Sequence, residues 1–247
     1  LFYWPRYWAY RFLVWLAVKR AVRVVTPSQW WKKELARRYQ LPLEKVIVTY
    51  EGVDKKFAAE QSENQVTSQP VLKKYKIKKP YVVYVGSLYP HKNVEKLVEA
   101  VKRINFKLVI VSSQSAFLER LRRRVKQLNA ARLVTFTGFV LDEELAVILK
   151  EAEAFVAPSL LEGFGLPGLE AMAAGVPVVA AKASCLPEIY DQGGCYVVFL
   201  EPDDIAAQIK KISSDRQLRT RLVRRGRQQA KKYSWQKMAQ ETLKVYQ

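Results

Sequence analysis

The sequence predicts an α/β protein built on a doubly wound parallel sheet. Three observations predict it. From residue 80 onward, short apolar runs alternate with longer stretches whose apolar residues recur at i, i+3, i+4 and i+7. One stretch, from Ala154 to Val179, reads as strand, Gly-rich loop, short helix and strand in succession. A shorter strand–helix–strand unit precedes them within residues 22–50. Strands that alternate with helices are joined by crossovers, and crossovers give parallel pairing.

Taken in order, residues 1–20 are aromatic and basic, with Trp4, Tyr7, Trp8, Tyr10, Phe12 and Trp15 among Arg6, Arg11, Lys19 and Arg20. After Pro5 the stretch runs as a helix. Aromatic rings flanked by cations suit a membrane interface; packing against another domain suits them too. The apolar run Tyr7 to Val18 holds an arginine and is shorter than the roughly 20 residues a spanning helix needs. Val22 to Val25 reads as a strand, Ser28 as the N-cap of a helix to Tyr39, and Lys45 to Tyr50 as a second strand. Residues 55–79 are polar and lysine-rich, a linker composition.

The alternation then begins. Tyr81 to Val85, Leu108 to Val111, Leu133 to Phe136, Ala154 to Ala157, Val176 to Ala180 and Cys195 to Phe199 are expected strands. Between them, Val94 to Ile104, Phe117 to Leu128 and a segment capped by Asp142 are expected helices. Helices at 203–213 and 215–232 follow, and a last one from Ser234 to Tyr246 carries Trp235, Met238, Leu243 and Tyr246. Sheets of this kind take ligands beyond the carboxyl ends of their strands.

The net charge of +19 points to an anionic partner, and no signal peptide is visible. Cys185 and Cys195 show no metal or redox spacing and read as reduced structural thiols of a cytosolic protein. The cations are spread over helix faces with no recognisable nucleic-acid module, so nucleic acid is not an expected partner. His91, the only histidine, argues against a Ser/His or Cys/His hydrolase and a His-rich metal site.

In the strand–loop–helix at 154–179, Gly163 and Gly165 let the loop turn and approach a ligand, Pro167 suits a helix start and Gly175 a helix end. Amides at that helix start favour phosphate. Glu162 and Glu170, eight positions apart, need a ligand that also offers hydroxyls. A nucleotide-sugar offers both.

Glu162 to Ala180, EGFGLPGLEAMAAGVPVVA, resembles the signature of the family 4, or group 1, glycosyltransferases of the GT-B fold. The resemblance implies a retaining glycosyltransferase that uses a GDP- or UDP-linked sugar, without a metal, and builds a cell-surface polysaccharide or lipid-linked glycan. No Asp-x-Asp metal motif is present. Glu162 is expected to hold donor-sugar hydroxyls and Glu170 the ribose, with Gly163, Phe164, Gly165 and Leu166 lining the donor. The loop Gly86-Ser87-Leu88-Tyr89-Pro90-His91-Lys92-Asn93 resembles the family's V-G-x-x-x-x-x-K loop, in which the lysine holds the leaving diphosphate. Ser87 stands where many members carry arginine. The Pro-His-Lys-Asn string is similar to mannosyltransferase members, which leans towards GDP-mannose. Phe139 and Val140 follow a strand in a loop of the kind that receives the nucleotide base. In the family, a histidine of the first domain contacts the transferred sugar, and His91 lies in the second.

Residues 1–54 resemble the end of the family's N-terminal Rossmann-like domain, with Glu51 where Asn is usual. The expected layout is this remnant, a linker at 55–79, one complete Rossmann-like donor domain at 80–232, and a helix at 233–247 that returns to the first domain. The expected partners are a nucleotide-sugar, a glycan or lipid-linked acceptor and an anionic membrane surface, with a cytoplasmic location peripheral to the inner face. The alternative is a chain that binds donor and does not catalyse.

Overall fold

Six parallel strands form the main sheet: β3 (Tyr81–Val85), β4 (Lys107–Val111), β5 (Val134–Gly138), β6 (Ala154–Ala157), β7 (Val178–Ala181) and β8 (Gly194–Val197). Their order across the sheet is β5-β4-β3-β6-β7-β8. A separate two-stranded parallel sheet pairs β1 (Val24–Thr26) with β2 (Val46–Val48). The structure, a computed structural model, describes residues 4–58 and 67–247.

The inner strands β3, β4, β6 and β7 are covered on both faces, which is why they read as nearly unbroken apolar runs, whereas the edge strands β5 and β8 are mostly half-exposed. Alternate residues of β3 feed two cores. Tyr81 and Val83 join a cluster with Ile148, Leu149, Leu169 and Met172. Val82 and Tyr84 join a cluster with Leu97, Val101, Leu121 and Ile209. The first cluster brings in helices α6 (Asp142–Lys150), α7 (Leu166–Ala173) and α8 (Leu186–Tyr190). The second brings in α4 (Val94–Arg103), α5 (Ala116–Gln127) and α9 (Pro202–Ser214), with Leu218 and Leu222 of α10 (Arg216–Ala230).

The first unit packs around α2 (Gln29–Tyr39), whose N-cap Ser28 accepts the Trp31 amide through its side chain. Helix α1 (Trp4–Arg20) is held at its end, where Lys45 Nζ donates to the Lys19 carbonyl at 2.8 Å and Lys19 Nζ to the Gln40 carbonyl at 3.3 Å. Helix α11 (Trp235–Tyr246), capped by Ser234, has no buried residue among those described. The chain just before α11 packs against the first unit: a Cβ on Gly52 would lie 2.0 Å from the Trp235 amide nitrogen.

Four local expectations change. The polar stretch 55–79 contains a helix, α3 (Ser68–Lys74), and Phe57, Val71 and Ile77 reach the core. Tyr75 and Lys74 bind Glu144 of α6 at 2.7 Å, so lysine-rich composition hid a packed segment. Asp142 is the first residue of α6 and not its cap: Leu141 takes the cap position, and the Asp142 carboxylate pairs with Lys56. Between β7 and β8, where no helix is expected, the chain forms α8, five residues too short to show a helical period. The first-unit strands are also shorter than expected; β1 starts at Val24, and Val22 is exposed.

Candidate functional site

In the order β5-β4-β3-β6-β7-β8 the chain winds one way from β3 and the other way from β6, which lie side by side. The crevice beyond the carboxyl ends of two such strands is where doubly wound sheets take ligands. The loops that leave these strands, 86–93 and 158–165, carry most of the residues singled out by sequence.

They converge. Lys92 Nζ lies 2.6 Å from Glu162 Oε2, and both side chains are largely shielded from water. The Leu160 amide donates to the His91 carbonyl at 2.8 Å, so the backbones are tied as well. Lys92 ends a 3₁₀ turn, Pro90–Lys92, that Asn93 closes in the left-handed region before α4 begins. Gly86 donates to the Val111 carbonyl of β4 at 3.1 Å, and Tyr84 Oη donates to the Ser87 carbonyl at 2.6 Å, which fixes this loop at its root. His91 is exposed and its ring stacks on Tyr89 at 5.8 Å.

The glycines of the second loop do different work. Gly165 adopts φ +98°, and a Cβ there would lie 2.6 Å from Tyr190 Oη, so no other residue fits without strain. Gly163 has no positive φ, and beyond its own chain neighbours no protein atom lies within 4 Å of where its Cβ would be. The sharp turn is made at Gly165, and the space above Gly163 is open. Gly165 is also the N-cap of α7 and offers no side chain; Pro167 has no N–H and the Gly168 amide donates to the Gly165 carbonyl at 3.1 Å, so the Leu166 amide is the one this helix start can turn to an anion. Tyr190 Oη donates to the Gly165 carbonyl at 2.7 Å from beneath.

Glu170 lies on α7, in the turn after Leu166. Burial pushes its carboxyl up from an ordinary 4.5 to about 7; Asp142 and Asp54 push the same way, and Lys56 opposes them. Phe139 is exposed, with 76% of its surface accessible, whereas Val140 is buried in the core. The Phe164 ring is buried too, edge-on to Tyr233 at 5.4 Å and tilted on Tyr50 at 6.2 Å. Val140 and Phe164 therefore present only backbone towards a ligand. Leu166 is half-buried at the first turn of α7.

Several residues around Glu162 have no signal in the local sequence. The Glu162 amide donates to Ser184 Oγ at 3.1 Å. Its carbonyl accepts from Trp31 Nε1 at 2.8 Å and from the Cys185 thiol at 3.4 Å. Burial raises the Cys185 thiol to about 12, so it stays protonated and can donate. Glu188 accepts from the Gln29 and Trp30 amides at 2.7 and 2.8 Å and from Tyr50 Oη at 3.0 Å. Ser184, Leu186, Pro187 and Glu188 form a string similar to the family's S-x-L-P-E loops, which from sequence reads as structural and names none of these partners.

By fold this is a GT-B type α/β protein, with one complete doubly wound sheet beside a smaller parallel unit. The chain belongs to the glycosyl transferases group 1 family, whose profile matches residues 69–229, while that of Glycosyltransferase Family 4 matches residues 1–57. It is 29% identical over 230 residues to O-antigen chain mannosyltransferase B of Escherichia coli, covering 90% of this chain and 60% of that protein. It is 32% identical over 197 residues to O-antigen chain mannosyltransferase RfbU of Salmonella typhimurium, covering 79% of this chain and 51% of that one. Among solved structures, Anabaena Alr3699/HepE in complex with UDP and glucose superposes with a TM-score of 0.82 at 21% identity, over 96% of this chain and 66% of that chain. The chain thus spans only part of the length of these relatives.

Proposed function

We propose that this chain carries the donor-binding half of a glycosyltransferase that moves a hexose from a nucleotide-sugar to a glycan or lipid-linked acceptor, with retention of configuration. The observation that carries this reading is the Lys92–Glu162 pair, 2.6 Å apart across the crevice between β3 and β6. A cation and a carboxylate side by side match a donor whose diphosphate is anionic and whose sugar bears hydroxyl donors. Lys92 and the Leu166 amide at the start of α7 are the groups for the charge that develops on the departing nucleoside diphosphate. Glu162 holds sugar hydroxyls, Glu170 the ribose, and the backbone of Gly138 to Val140 the base. In transfer the bond from the anomeric carbon to the diphosphate oxygen breaks, and a bond to the acceptor oxygen forms. The diphosphate leaves with the electron pair, and the acceptor hydroxyl gives up its proton.

The mannosyltransferase relatives and the Pro-His-Lys-Asn loop favour GDP-mannose and a role in cell-surface polysaccharide synthesis. No metal enters this reading. The protein works in the cytoplasm, where α1 and the surplus of cations bring it to the inner face of a membrane. Calorimetric titration tests the donor assignment. GDP or UDP is expected to bind, GDP-mannose more tightly than UDP-glucose, and Lys92→Ala to weaken the diphosphate about tenfold or more, the scale of a charge-assisted bond. Unchanged affinity in Lys92→Ala would contradict the assignment.

A further inference from the structure

We propose that Trp31, Ser184 and Glu188 are positioning residues for Glu162. They fix its peptide group from both sides and make its orientation depend on how α2 docks against the main sheet. This rests on the donor-site reading of Glu162 given above.

A peptide group has one N–H and one carbonyl to place. Those of Glu162 are both taken by groups outside its own loop: the N–H by Ser184 Oγ at 3.1 Å, the carbonyl by Trp31 Nε1 at 2.8 Å and by Cys185. With the backbone held so, only side-chain torsions remain to bring the carboxylate to Lys92. Ser184 reaches Glu162 from a φ of +48°, a conformation serine adopts only at a cost, so the fold around it enforces that position.

The indole that holds the carbonyl comes from the other unit of the protein. Trp31 lies in the first turn of α2, its amide on Ser28 Oγ at 3.1 Å and its ring edge-on to Trp30 at 4.9 Å. That turn is in turn held by Glu188 of α8, through the Gln29 and Trp30 amides at 2.7 and 2.8 Å. A carboxylate that accepts two amides at a helix N-terminus meets both charge-assisted bonds and the positive end of the helix dipole. Glu188 also accepts Tyr50 Oη, two residues beyond β2, at 3.0 Å. Ser184 and Glu188 stand four positions apart, so the contacts close a ring: Ser184, Glu162, Trp31, the start of α2, Glu188, and back to Ser184.

The ring joins the two units at the residue whose side chain meets Lys92. A shift of α2 against the main sheet withdraws the indole from the Glu162 carbonyl and lets that peptide turn. The carboxylate then loses its register with Lys92. Docking of the first unit is in this way communicated chiefly to the sugar end of the donor site; the diphosphate end keeps Lys92 and the start of α7 and changes less.

The test compares Trp31→Phe, Ser184→Ala and Glu188→Gln with Glu162→Gln in the full chain, by calorimetric titration with GDP and GDP-mannose, or with UDP and UDP-glucose. Each positioning variant is expected to weaken the nucleotide-sugar about three- to tenfold, the scale of one lost hydrogen bond, and the diphosphate less than about twofold. Glu162→Gln is expected to show the same split. The Trp31 indole N–H resonance reports the contact directly. It is expected to move when nucleotide-sugar is added to the unsubstituted chain, and to move in Glu188→Gln without ligand. An indole signal that stays in place on donor addition overturns the proposal whether or not the variants fold. So does a split seen in Glu162→Gln and missing from natively melting positioning variants, which leaves the donor-site reading standing. A chain that binds no nucleoside diphosphate overturns both.

Discussion

At the scale of single residues, Glu170 is the group whose chemistry the fold changes most usefully. Its carboxyl is raised from 4.5 to about 7, chiefly by burial. The folded protein therefore keeps a proton in that interval that the unfolded chain has released. Stability on this account is greatest below the lower value and declines as pH rises towards the upper one. Glu170→Gln removes the decline. Thermal melts are expected to show the variant losing less stability than the parent between about pH 5 and pH 7.5, by roughly 1–3 kcal/mol. Parallel curves would contradict the buried-carboxylate account. Above about pH 7, where the carboxylate is ionised, the same substitution is expected to weaken nucleoside diphosphate binding by about 1–3 kcal/mol, through the lost bond from ribose to a charged acceptor. Sequence singled out Glu162 and Glu170 through one long motif and Lys92 through a separate loop. It could not show that Lys92 and Glu162 form one pair, nor that Trp31 bonds a carbonyl 131 positions away. Such contacts depend on which strands the topology makes neighbours, and no local pattern encodes that.

At the scale of elements, the start of α7 is the part of the site that tolerates least change. Gly165 stands at φ +98° over Tyr190 Oη. Gly165→Ala is expected to cost about 1–3 kcal/mol from backbone strain, before counting any movement of Tyr190. Denaturant unfolding checks this, and a variant as stable as the parent would show that the loop has another conformation open to it. By contrast Gly163→Ala, with open space around it, should leave stability nearly unchanged and act on ligand alone. The strands and long helices were readable because burial on both faces makes strands continuously apolar and because α4 and α5 bury one face in regular steps. The expectation for β3, Tyr81 to Val85, coincides with the strand observed. What escaped was short or disguised. Helix α8 has no room for a period, and α3 is lysine-rich with one buried residue, Val71, so composition outweighed pattern.

At the scale of the whole molecule, two features stand outside the core: the charge of +19 and the exposed rings of α1. Tyr7, Trp8, Tyr10 and Phe12 are each at least half accessible, and Arg11 lies over the Tyr7 and Trp8 rings at 5.5 and 5.3 Å. No helix among the described residues is long and apolar enough to cross a membrane. An interfacial role for α1 predicts co-sedimentation with anionic vesicles that falls steeply with salt, since exposed charges are screened within about 8–10 Å near physiological ionic strength. Equal partition onto neutral and anionic vesicles would remove electrostatics from this account. Donor binding at the crevice between β3 and β6, held by two loops and the start of α7, can be followed by amide-resolved NMR titration of the chain with GDP and UDP. The largest shifts are expected at 86–93, at 138–140 and at 162–170, with the Trp31 indole responding only when a sugar is attached. Shifts confined to the arginine-rich faces of α5 and α10, or none at these loops at saturating nucleotide, would contradict binding at that crevice.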